Sequence, residues 1–345
     1  MTLTDISRRT ILKAGLAAPL VLTAGRAFSQ SNPLKFALAA PFDGSNAAFF
    51  LGQQEGWYKE AGVNVQFDAS GGSGAATTQV GSGVYDLGIA DINVMAEFNA
   101  KNPGTEIRNV YMLYYQSPLS VGTLASSGIK TPADLAGRKI GAAAPDGAYR
   151  LFNAYKEATG LDVSGIEWDM VGLQLREAVL SRGDVDAILG FDSTMFFGLQ
   201  KAGIPAEEIK FLYYSDAGLD LYGNGLMATK RMREEEPEML KAFVEVSARA
   251  WQAAVADPAR AVAALKEHAP LIDPALEEAK LKWLIEHQLV TEESQADGLG
   301  GVREDRLAET IAVVAANLEF PSVPTTDQVF DPAYLPDAAL RALPA

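Results

Sequence analysis

Four aspartates, Asp43, Asp91, Asp146 and Asp192, stand where short apolar runs give way to helical patterns. In an open α/β sheet, ligands collect outside the carboxyl ends of the strands, in the loops that lead into helices. A carboxylate there either caps the next helix or accepts a hydrogen bond from a bound molecule. Phe42 and Asn46 flank Asp43, and Tyr149 and Arg150 follow Asp146. The two aromatic rings can face a flat ligand or pack into a core, and Arg150 can pair with an anion or lie on a solvated helix face. The run Gly71-Gly72-Ser73-Gly74 precedes a helical pattern. Free N–H groups and the helix dipole would favour an electron-rich ligand atom at Ser73. The run lacks the Lys and Ser/Thr of a phosphate-binding loop, and a plain turn is the alternative. Carboxylates with aromatic rings suit a flat nitrogenous molecule bearing N–H donors, or a cation.

Other chemistries are excluded or disfavoured by composition. The chain has 345 residues and no cysteine, which removes disulfides, thiolate catalysis and Cys-ligated metals. Its two histidines, His268 and His287, fall in a C-terminal helical region away from the strand-end loops. No metal or cofactor is expected, and no G-x-S-x-G, H-E-x-x-H or Walker pattern occurs. A net charge of −15 argues against nucleic acid and against an anionic membrane surface.

These loops need a scaffold, and the apolar pattern supplies one. Strands are predicted at 34–39, 63–67, 87–90, 110–115, 119–125, 139–143, 166–171, 187–190, 209–214 and 226–229. Helices are predicted between most of them, among them 47–61, 75–82, 93–101, 148–159, 173–182 and 193–202. The βα rhythm restarts after residue 118, which predicts two α/β lobes rather than one long sheet. From 233 to 318 the pattern is helical, with helices predicted at 238–256, 258–268, 274–288 and 303–317; a Pro-rich tail after Pro321 reads as an extended strap.

The N-terminus reads as an export signal. Arg8-Arg9 and Lys13 precede a short apolar run, Ala14 to Ala24, with small residues before candidate cleavage points near Ala27 to Ser29. The adjacent arginines resemble the twin-arginine motif. About a dozen apolar residues are too few to span a bilayer. Residues 1–29 hold four basic side chains against one acidic, so cleavage would leave the remainder still more acidic.

Four segments in order resemble the periplasmic substrate-binding proteins of ABC importers, in the branch handling nitrate, taurine, alkanesulfonates and thiamine pyrimidine precursors. They are Gln53-Gln54-Glu55-Gly56-Trp57-Tyr58-Lys59-Glu60-Ala61-Gly62-Val63, Gly81-Ser82-Gly83-Val84-Tyr85-Asp86-Leu87-Gly88-Ile89-Ala90, Thr131-Pro132-Ala133-Asp134-Leu135-Ala136-Gly137-Arg138-Lys139-Ile140-Gly141 and Gly183-Asp184-Val185-Asp186-Ala187. The resemblance implies an α/β, two-lobed periplasmic binding protein-like fold of type II. Each lobe would be a mixed sheet flanked by helices, with the ligand cleft between lobes. Residues 1–29 would be the signal, 33–117 and 225–320 one lobe, 118–224 the other, and 321–345 the strap.

Two chain crossings would hinge the lobes near 116–122 and 221–226, with Gly223 and Gly225 giving torsional freedom. Gln116, Ser117 and Tyr222 then join Phe42, Asp43, Asn46, Ser73, Asp91, Asp146, Tyr149 and Asp192 as candidate ligand contacts. The implied protein is a monomeric, periplasmic, non-enzymatic binder that delivers a pyrimidine-like molecule to a membrane permease with cytoplasmic ATPase subunits. A sulfonate, nitrate or aromatic acid is the alternative ligand, and an enzyme on the same fold is the alternative of another class.

Overall fold

A computed structural model describes residues 33–344. The export signal expected over residues 1–29 lies outside the described residues. Ten strands form where the apolar runs predict them: β1 (Leu34–Leu38), β2 (Val65–Ala69), β3 (Leu87–Asp91), β4 (Arg108–Met112), β5 (Leu119–Leu124), β6 (Lys139–Ala142), β7 (Glu167–Met170), β8 (Ala187–Phe191), β9 (Ile209–Tyr213) and β10 (Asn224–Ala228).

They build two five-stranded sheets, β2-β1-β3-β10-β4 and β7-β6-β8-β5-β9. The two orders are equivalent. In each, three parallel strands are joined through the third to an antiparallel strand, β10 or β5. Asn224 pairs with Asp91 in the first sheet, and Leu119 with Phe191 in the second. The chain leaves the first sheet after β4, enters the second at β5, and returns from β9 to β10.

Each lobe has its own apolar core. In the first, Phe36 of β1 lies 5.1 Å from Phe49, 5.5 Å from Phe67 and 5.3 Å from Phe243, centroid to centroid. The long helix Pro237–Ala256 delivers Phe243, Ser247, Trp251 and Ala254 to that core, a stripe at helical spacing. The second lobe's core centres on Leu119, Val121, Ile140, Ala187 and Leu189.

Several expectations are corrected. The single helix expected at 47–61 is two, Ala47–Gln54 and Trp57–Glu60. Gly56 separates them at φ 75°, a left-handed conformation that costs glycine little. The helix expected at 148–159 breaks at Leu151, and the one expected at 173–182 opens as a 3₁₀ turn, Leu173–Leu175. The tail is not simply extended, because it forms short turns at Thr326–Val329, Pro332–Tyr334 and Ala338–Arg341.

Gly223 and Gly225 serve space rather than torsion. Neither has a positive φ, while a Cβ at Gly225 would lie 2.2 Å from Asn109 Nδ2 and one at Gly223 2.9 Å from Tyr114 Cβ. Among the described residues, no helix is long and apolar enough to cross a membrane.

Candidate functional site

The loops after β1, β2, β6 and β8 meet between the lobes around a cavity of about 860 Å³. Phe42, Asp43 and Ser73 line it from the first lobe, and Asp146 from the second. Apolar walls come from both sides, with Pro41, Phe42 and Ile272 facing Leu173, Phe191 and Phe197. Phe42 meets Phe50 edge to face at 4.9 Å, so one ring serves both core and cavity.

The cavity's acids arrive with partners. Asp43 Oδ1 accepts from the Ser45 N–H at 3.0 Å and caps the short turn Gly44–Asn46, while Oδ2 pairs with Lys280. Asn46 lies behind, donating to the Pro41 carbonyl at 3.1 Å, and so shapes the loop. Asp146 Oδ1 accepts from the Ala148 N–H at 2.8 Å, and Oδ2 from Arg176 Nη1 at 2.6 Å. Arg176 is buried and also donates to the Leu189 carbonyl at 3.0 Å and to Glu177 at 2.7 Å. Gly190 permits this, since a Cβ there would sit 2.2 Å from Arg176 Nη1. Burial raises the Asp146 pKa and Arg176 opposes that shift, whereas carboxylate neighbours raise that of Arg176 against its own desolvation.

Two of the four aspartates sit at the lobe junction rather than on the cavity wall. Asp91 Oδ1 caps the helix Ile92–Lys101 through the N–H groups of Asn93 (2.8 Å) and Val94 (3.4 Å). Its Oδ2 is buried without a hydrogen-bond partner, and a Cβ on Gly147 of the other lobe would stand 3.9 Å away. Burial pushes the Asp91 pKa up to about 6. Asp192 Oδ2 accepts from Trp283 Nε1 (3.0 Å), Gln288 Nε2 (3.0 Å) and the Tyr213 hydroxyl (3.3 Å). Its pKa is also raised by burial, against the hydrogen bonds from Trp283 and Tyr213.

The remaining candidates stand outside the cavity. Tyr149 packs edge to face on Trp168 at 5.4 Å in a separate surface groove, and Arg150 pairs there with Glu97 of the first lobe. Gln116 donates its backbone N–H to the Gln288 carbonyl at 3.1 Å, and Ser117 is buried beside it. The Tyr222 hydroxyl donates to Glu293 at 2.5 Å.

Sequence reasoning missed Arg176, Glu177, Lys201, Glu277 and Lys280, all on the cavity wall. The strand-end rule applied to β7 would have reached Leu173 and Arg176. Lys280 has no such signal, because its helix, Pro274–Leu284, joins the site from a distant stretch of chain. His268 and His287 do not line the cavity. Among the described residues, no group of three or more His, Asp or Glu side chains is placed to hold a metal ion.

The lobes touch around this cavity. A Cβ on Gly74 would lie 3.3 Å from the Pro145 carbonyl, and Trp283 stacks on Phe196 of the second lobe at 4.5 Å. Two lobes of equal topology apposed over a shared cavity define a protein with the periplasmic binding-protein fold. A family model described as NMT1/THI5-like matches residues 44–261, and the chain belongs to that family.

The riboflavin-binding protein RibY of Chloroflexus aurantiacus is 22% identical over 270 residues, covering 72% of this chain and 75% of RibY. A 4-amino-5-hydroxymethyl-2-methylpyrimidine phosphate synthase of Legionella pneumophila is 22% identical over 200 residues. That match covers 58% of this chain and 62% of the synthase, less than two thirds of its length. The alkanesulfonate-binding protein SsuA of Xanthomonas axonopodis, solved with MOPS, has a TM-score of 0.68 at 16% identity, covering 88% of this chain and 100% of SsuA. At that identity the likeness is one of fold.

Proposed function

We propose that the chain is the solute-binding component of an ABC importer, exported to the periplasm with residues 1–29 removed. In this reading residues 33–117 and 225–320 form one lobe, 118–224 the other, and 321–345 a strap. The observation that carries the reading is the inter-lobe cavity, whose apolar walls come from both lobes. Its volume of about 860 Å³ lies in the range of small-molecule sites. A molecule touching both walls favours the apposed arrangement by its differential affinity, which is how capture would be coupled to closure. The closed monomer would then present both lobes to a membrane permease.

The ligand proposed is a flat nitrogenous heteroaromatic molecule, pyrimidine-like or a larger fused ring. Phe42, Phe191 and Phe197 supply ring surfaces, with Asp43, Ser73 and Asp146 as polar contacts. Because Asp43 and Asp146 already hold Lys280 and Arg176, the support comes from the aromatic walls more than from free carboxylates. The names of the two sequence relatives, concerned with riboflavin and with a pyrimidine phosphate, point the same way.

Thermal melting of the chain purified from the periplasm tests this, with a panel of pyrimidines, flavins, sulfonates and aromatic acids. A ligand at a hundred times its Kd adds about 2.7 kcal/mol to stability. The expected result is a melting point raised by one nitrogenous ring compound that mass spectrometry recovers unchanged. Conversion of that compound to a product overturns the binding role in favour of an enzyme. A shift from sulfonates alone overturns the ligand class.

A further inference from the structure

The helix Glu304–Asn317 also links the lobes, besides the two chain crossings. Its Leu307 and Ile311 belong to the first lobe's core, and Val314, less than a turn further, to the second's. Its first turn carries Arg306, which touches both crossings at once. Nη2 donates to the Tyr115 carbonyl of the outgoing crossing at 2.6 Å and to Asp220 Oδ1 of the returning one at 2.7 Å. Nη1 donates to Glu293 Oε2 at 2.8 Å, and the guanidinium carbon lies 4.1 Å from the centroid of the Tyr222 ring.

Tyr222, Glu293 and Tyr115 are themselves held. The Tyr222 hydroxyl donates to the other Glu293 oxygen at 2.5 Å and accepts from the Arg303 N–H at 2.9 Å. The Tyr115 hydroxyl donates to the Gly301 carbonyl at 3.0 Å. The arms are unequal. Asp220 is 69% exposed and its pair is screened by water, whereas Glu293 is 7% exposed and its charge-assisted bond is not. A planar guanidinium directs its N–H groups in fixed directions, so these contacts specify the relative placement of the two crossings. Lobe rotation is absorbed by a few crossing residues, and these are the residues that Arg306 ties together.

We propose that Arg306 is the positioning residue that sets the resting angle of the lobes, bracing both crossings in the arrangement that apposes the cavity walls. The proposal rests on reading the chain as a hinge-closing binding protein. Its test needs no ligand. Because the chain has no cysteine, Val84→Cys and Met170→Cys place one spin label on an exposed site of each lobe. Pulsed electron paramagnetic resonance then gives the inter-lobe distance distribution.

Arg306→Gln is expected to lower the ratio of apposed to separated lobes by about tenfold, the worth of one charge-assisted hydrogen bond. Arg306→Lys keeps the charge without the fork and should restore only part of that ratio. Asp220→Asn, which alters the exposed arm, should shift it least. A folded Arg306→Gln chain with the parent's distribution overturns the proposal. Should that variant fail to fold, identical distributions for the parent, Arg306→Lys and Asp220→Asn overturn it equally. Failure of every panel molecule to narrow the parent's distribution would sink the binding role while leaving the Arg306 result standing.

Discussion

The Trp283 indole N–H donates to the Asp192 carboxylate at 3.0 Å, from a helix of the first lobe to a strand end of the second. Gln288 donates to the same carboxylate, so a buried charge on one lobe is satisfied by donors on the other. A buried polar group left without partners costs more than its bond returns when made. The junction therefore holds only while both lobes are in place.

Trp283→Phe removes the N–H and keeps a ring against Phe196. It should cost about 1–3 kcal/mol, because Asp192 stays buried with one donor fewer. Urea unfolding followed by circular dichroism measures this. A change within a few tenths of a kcal/mol of zero would show that the bond is not a junction determinant.

Asp91 makes stability depend on pH. Burial raises its folded pKa to about 6, above the ordinary carboxylate range near 4. The folded chain then binds the proton more tightly than the unfolded one. Its stability is undiminished at low pH and declines as pH rises between those two values, by up to about 3 kcal/mol. Asp91→Asn keeps a helix-capping oxygen and removes the charge. Its melting point should exceed the parent's at pH 8, with the gap shrinking toward pH 4. An equal gap at both pH values would refute this role for Asp91.

Arg176→Met leaves Asp146 and Glu177 at the cavity wall without their cation. Removing one member of a buried ion pair costs about 3–5 kcal/mol. The double variant Arg176→Met/Asp146→Asn should recover part of that loss. A double-mutant cycle showing no coupling would rule the pair out as a structural unit.

Phe197→Ala tests the cavity wall directly. Its ring lines the cavity from the second lobe while packing against Phe196 at 5.2 Å. Under the proposed function, losing that surface should weaken ligand binding by about tenfold or more, equivalent to roughly 1.4 kcal/mol. Calorimetric titration with whichever panel molecule raises the melting point reads it. An affinity equal to the parent's would place the ligand elsewhere.

Much was legible in the sequence because it is local. All ten strands follow from short apolar runs, and the restart of the βα rhythm after residue 118 announced a second sheet. Period and turn chemistry are properties of neighbouring residues, so they survive in a linear reading. Asp43 and Asp146 were likewise reachable, since the ends of strands can be located without coordinates.

What only the tertiary structure decided was the pairing of polar and charged groups over long chain separations. Lys280 meets Asp43 across 237 residues, Trp283 meets Asp192 across 91, and Arg306 meets Tyr115 across 191. None of these pairs leaves a spacing or periodic signal, because the partners lie on elements far apart in the chain that only folding brings together. The fold turned the four strand-end aspartates into two cavity residues paired with Lys280 and Arg176 and two junction residues, Asp91 and Asp192. A carboxylate's chemistry is set by what desolvates it and what donates to it, and both are contributed by the fold rather than by the residues beside it.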